Sequence, residues 1–136
     1  EIDDMFGHHP VSNRTAELLA LYVQDARKNS RYDFQMGRQM SAVAGQVGLT
    51  VVRQFAVPDS ELSFSGRADP DVQEAWRLRL DQMHLLQKLC GAEFHAVRDD
   101  FLKCLDRDDH NCSATVQCCI AIKEDSRPNE GRRTMP

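Results

Sequence analysis

Ten residues, Val72, Trp76, Leu80, Met83, Leu86, Cys90, Phe94, Val97, Phe101 and Cys104, follow one another at intervals of three or four. Only an α-helix brings side chains so spaced onto one face, because about 3.6 residues complete a turn. Asp69 followed by Pro70 marks its start: a capping side chain, then a ring whose fixed φ suits the first helical position. Read as one element over residues 70–106, the stripe predicts a helix roughly 50 Å long. A helix of that length outreaches the core of a small domain, so it predicts a helical hairpin, an elongated bundle, or docking against another protein.

The rest of the chain fits that expectation. Ser12 and Asn13 offer caps to a helix carrying Leu18, Leu19, Tyr22 and Ala26, and "RKNS" closes it. A second helix is read through Tyr32, Met36, Met40, Val43, Val47, Val51 and Phe55, ended by Pro58. Gly37, Ser41, Gly45 and Gly48 make a stripe of small residues on a neighbouring face, which would let another backbone approach closely. Residues 58–69 are a polar connection, opened by Pro58 and carrying Gly66. A short last helix is read after "RDDHN", with Cys112, Val116, Cys119 and Ile122 on one side. No alternating strand pattern is read anywhere. The expectation is an all-α chain: a single domain over 1–136, with 1–11 and 124–136 as extended or flexible termini.

Composition narrows the function classes. The 136 residues suffice for one modest core. The net charge of −4 argues against a broad attraction to nucleic acid. The basic tail "RPNEGRR" reads as a solvated end. The longest apolar stretch, Met40–Val52, is too short to span a bilayer and is interrupted by Gln46. A start on Glu1 rather than methionine is expected of a processed or trimmed chain. No phosphate-cradling glycine motif and no nucleophile elbow occurs, so no catalytic or cofactor-binding residue is assigned. His8 and His9 read as a solvent-facing loop, and His84 and His95 lack the companions of a helical metal motif. The acidic cluster "DRDDHN" lacks the glycine and distant glutamate of a calcium loop.

The five cysteines, Cys90, Cys104, Cys112, Cys118 and Cys119, leave three readings open. They are disulfide candidates, reduced thiols in a core, or, for Cys112, Cys118 and Cys119 with His110, a zinc site whose spacing departs from the usual pairs. The stretch "C…FLKCLDRDDHNC…CC", about residues 90–119, resembles the coiled-coil-helix-coiled-coil-helix (CHCH) proteins of the mitochondrial intermembrane space. That resemblance implies a helical hairpin stapled by cystines and a role as accessory subunit or assembly factor of a respiratory complex. The cysteine spacing is not the family's. On straight helices Cys90 would lie about 21 Å from the turn and Cys119 only about 10 Å, so both staples could not close together.

The function expected is a non-catalytic accessory subunit or assembly component of a mitochondrial membrane complex of respiratory-chain or ATP synthase type. It would sit on the intermembrane-space side and dock through Trp76, Leu80, Met83, Phe94, Val97 and Phe101. Its partners would be other protein subunits, with no nucleic acid, no cofactor, no metal and no transmembrane segment of its own, only peripheral contact with a membrane complex. The alternatives are a cytoplasmic all-α regulatory or dimerisation domain with reduced cysteines, and a small helical metal-binding protein.

Overall fold

The structure, a computed structural model, describes residues 1–123. The tail expected at 124–136, with its "RPNEGRR" run, lies outside the described residues. In chain order the elements are β1 (Ile2–Asp3), β2 (His8–His9), α1 (Asn13–Lys28), α2 (Met36–Gln46) and β3 (Leu49–Val57). They continue with α3 (Pro70–Gln82), α4 (His84–Cys90), α5 (Phe94–Leu105), β4 (Asn111–Cys112) and β5 (Thr115–Lys123). The fold is therefore mixed α/β, not all-α, and the helical bundle or hairpin read from the sequence does not form.

The long helix expected over 70–106 is three helices. Met83 leaves helical geometry at φ −82, ψ 69, and Gly91 takes φ 54, where a residue with a Cβ is strained. A 3₁₀ turn, Gly91–Glu93, links α4 to α5. The apolar stripe is nonetheless the buried side of all three. Trp76, Leu80, Leu86, Phe94, Val97 and Phe101 are buried, and Met83 packs against them. Breaking the axis at two points lets one stripe wrap a common core rather than project from it. The core also takes Leu18, Leu19 and Tyr22 of α1. Ser12 caps α1, its hydroxyl accepting the Thr15 N–H at 3.2 Å. The Trp76 indole N–H is satisfied by the Glu61 carbonyl at 2.7 Å.

The second helix expected through Phe55 stops at Gln46. Gly48, at φ 77, turns the chain into β3. The short last helix is the nine-residue strand β5, antiparallel to β3 from Leu49↔Lys123 to Val57↔Val116 with a bulge between Val51 and Arg53. Residues 1–11, expected as an extended or flexible terminus, are fixed by two pairings: β1 on β5, and β2 on β4. The three-stranded sheet runs β1-β5-β3, so β1 and β3, each antiparallel to β5, are parallel to one another, joined by a crossover through α1 and α2. Among the described residues β1 and β3 are the edge strands of this sheet.

Half of the small-residue stripe has a packing role. Gly37 of α2 sits so close to the sheet that an added Cβ would lie 2.9 Å from the Asp3 Cβ and 3.1 Å from Gln117. Ser41 hydrogen-bonds to Gln54 of β3. Gly45 and Gly48 face open space.

Candidate functional site

The segment from Asp4 to Val11 leaves the carboxyl end of β1 and leads into α1. Its backbone is over-determined. Asp4 holds φ 60, outside the range that side chains favour, and is pinned there by donating its N–H to the Phe34 carbonyl at 2.9 Å. Gly7 donates to the Asp4 carbonyl at 2.8 Å and accepts the Ser113 N–H at 2.7 Å. The Ser113 hydroxyl donates to the Asp4 carboxylate at 2.7 Å. An added Cβ at Gly7 would meet that carboxylate at 2.6 Å, so the close approach requires glycine.

Because successive strand residues point to opposite sides, β2 sends its two histidines in opposite directions. His8, fully buried, packs edge-on against Trp76 and Phe101 and stacks on His110 with ring centroids 5.2 Å apart. The expectation of a solvent-facing loop fails for this residue. The hydrogen-bond chain assigns the tautomers. The Gly66 carbonyl only accepts, so His110 Nδ1 donates to it at 2.9 Å. His110 Nε2 then accepts from His8 Nδ1, also at 2.9 Å. His8 Nε2 is left as an acceptor facing the Cys112 thiol at 3.9 Å.

This Cys-His pair is not a primed nucleophile. Burial, reinforced by the neighbouring His110, lowers the His8 pKa to about 4, while burial raises that of Cys112. Both shifts oppose the thiolate–imidazolium form that nucleophilic catalysis uses. The cluster ties β2, β4 and the Gly66 turn together.

His9 points outward, onto a cleft of about 440 Å³. Its apolar wall is Phe6, Val11, Ala16, Leu19, Ala20 and Val23, and polar groups enter from Asp4, His9, Gln24, Arg27 and Gln35. The Arg27 guanidinium lies 3.5 Å from the Asp33 carboxylate and is more than half exposed, which leaves donors free for a ligand. An apolar wall with a few fixed polar groups at a strand's carboxyl end is the usual composition of a small-molecule site.

A larger groove, about 750 Å³, lies between α3 and α5, but it is shallow and open. Its charges satisfy one another nearby: Arg67 with Asp106 and Asp108, Arg77 with Glu74 and Asp81. The acidic turn that suggested a calcium loop is thus ion-paired, with Asp109 held by Arg107 at 2.7 Å.

The cysteines do not assemble. Cys90 lies on α4 and Cys104 on α5, both buried; Cys112 is on β4; Cys118 and Cys119 are neighbours on β5 and face opposite sides of the sheet. All five are free thiols. Burial, with help from Asp100, pushes the Cys104 thiol up to about 11, and burial also raises Cys90. Among the described residues no group of three His, Cys, Asp or Glu side chains is placed to hold a metal, and no helix is long and apolar enough to cross a membrane.

Sequence reasoning missed Asp4, His9 and Arg27 as a set. One signal was available: the turn-rich "DDMFGHHP" precedes a capped helix, which is the order loop, helix. Comparison with protein-family models, with curated proteins and with solved structures finds no match for this chain.

Proposed function

We propose that the chain binds a small molecule in the cleft between the Asp4–Val11 loop and α1, as the substrate-binding part of an α/β enzyme. The single observation that carries this reading is the cleft of about 440 Å³ at the carboxyl end of β1, walled by a loop held by backbone hydrogen bonds at Asp4 and Gly7. The ligand is an apolar or aromatic body resting on Phe6, Leu19 and Val23, with a hydrogen-bonding or anionic group toward Arg27 and Gln35. His9 stands on the rim of the same cleft and offers a ring nitrogen to a bound ligand.

The accessory-subunit role drew on the long apolar helix, the small-residue stripe, the clustered cysteines and the lack of catalytic motifs; of these, the single long helix is three helices, and residues 115–123 form a strand.

The test is ligand-detected NMR against a panel of aromatic and aliphatic carboxylic acids and alcohols. Ala20→Trp fills the cleft from its exposed rim without entering the core. The expected result is binding by the unaltered chain, loss of binding in Ala20→Trp, and about tenfold weaker binding of the acids in Arg27→Ala. Equal binding by the Ala20→Trp variant, or no binding by any panel member, contradicts the reading.

A further inference from the structure

The sheet is patterned for a layer on the face that α2 does not cover. Cross-strand partners share a face, and the register pairs Phe55 with Cys118, Val57 with Val116 and Arg53 with Ile120. Val116, Cys118, Ile120 and Ile122 of β5 therefore stand with Phe55 and Val57 of β3 on one side. The opposite side meets α2: Gln54 donates to the Gly37 carbonyl at 3.3 Å, and Gly37 touches Asp3 and Gln117. The side toward α2 thus carries Asp3, Gln54, Gln117 and Cys119 beside Val51, Ala56 and Ala121, a more polar set than the one pointing away.

A sheet with one wetted face shows the reverse pattern, apolar toward its helix and polar toward water. Here Ile120 is 46% exposed, Ile122 52% and Val57 37%. Among the elements of the described residues, β3 packs on β5 and α2, and β5 on β3, α2 and β1. An apolar face of this kind marks an interaction surface. In its middle the Arg53 guanidinium lies 4.7 Å over the Phe55 ring, and among the described residues no carboxylate pairs with it.

We propose that this face docks an amphipathic helix of a partner protein, its apolar stripe on Ile120, Cys118 and Phe55 and an Asp or Glu at its border meeting Arg53. The sheet would then be a middle layer between two helical ones. Charge complementarity selects this occupant. Among the described residues the face carries a cation and no carboxylate, so a second copy packed face to face adds a cation without adding a counter-charge. This inference does not rest on the ligand cleft, which lies at another end of the molecule's β1 strand.

The probes are two stapled 18-residue helical peptides with leucines at i, i+3, i+4 and i+7 spacing, identical except for one border residue, Glu in one and Lys in the other. Fluorescence anisotropy measures each against the unaltered chain, Arg53→Glu and Ile120→Asp, with amide NMR spectra confirming that the variants fold. The expected result is that the Glu peptide binds about tenfold tighter than its Lys twin. Arg53→Glu should reverse that preference, and Ile120→Asp should abolish binding of both. If Ile120→Asp does not fold, the reversal by Arg53→Glu carries the test alone. No binding, equal binding of the twins, or self-association of the chain through this face in sedimentation overturns the proposal.

Discussion

His8 and His110 show how far one buried pair can set the behaviour of the molecule. With the Gly66 carbonyl at one end and Cys112 at the other, every ring nitrogen has a partner, and each imidazole is held neutral. Burial lowers the His8 pKa from 6.5 to about 4, and His110 shifts the same way. The folded chain thus refuses a proton that the unfolded chain accepts across that window. Stability is complete above pH 6.5 and falls as pH drops toward 4, by about 3 kcal/mol for His8 alone. Urea unfolding at a series of pH values checks this, and a flat profile between pH 7 and 4.5 would contradict it. In His8→Phe, where the ring is kept and its titration removed, the slope over that window should shrink. The sequence offered two adjacent histidines before a proline, and nothing in that string says which one turns inward. The answer is set by the strand pairing of His8 with Cys112, a contact between residues far apart in the chain.

At the scale of elements, α1 was legible because its evidence is local: a capping serine, an apolar stripe at helical spacing, and a basic end. The stripe from Val72 to Cys104 correctly marks what is buried, yet it does not encode the direction of the axis. Met83 and Gly91 redirect it, and only Gly91 gives a sign in the sequence. The failures are β3 and β5. Cys112, Val116, Cys119 and Ile122 are spaced as a helix face, but "TVQCCIAI" is equally a run of strand-favouring residues, and periodicity over so short a stretch does not separate the two. What decides is the partner: β5 pairs with eight of the nine residues of β3, skipping Val52 at the bulge. The switch from α2 into β3 depends on Gly48 at φ 77, so Gly48→Ala should cost about 1 kcal/mol in urea unfolding. An unchanged midpoint would show that the turn relaxes into another conformation.

For the whole molecule, the division between a helical core around Trp76 and a sheet layered on α2 was invisible in the sequence. Both halves draw on residues from each end of the chain: Ile2 pairs with Val116, and His8 with Cys112. The candidate site follows from that closure. The β1–β5 pairing and the Ser113 contacts fix the Asp4–Val11 loop, and the loop makes one wall of the cleft against α1. Cutting those ties should open the cleft without dissolving the helical core. Ser113→Ala removes the hydroxyl bond to Asp4 and should lower stability by about 1 kcal/mol, read as a shift in the thermal midpoint, and should weaken ligand binding more than it weakens folding.

The most direct measurement is a crystallographic fragment screen. The account predicts that bound fragments cluster in the cleft of about 440 Å³, with apolar rings on Leu19 and Val23 and polar atoms within hydrogen-bond reach of His9 or Arg27. Fragments gathered instead in the groove between α3 and α5, with the cleft empty, would contradict it.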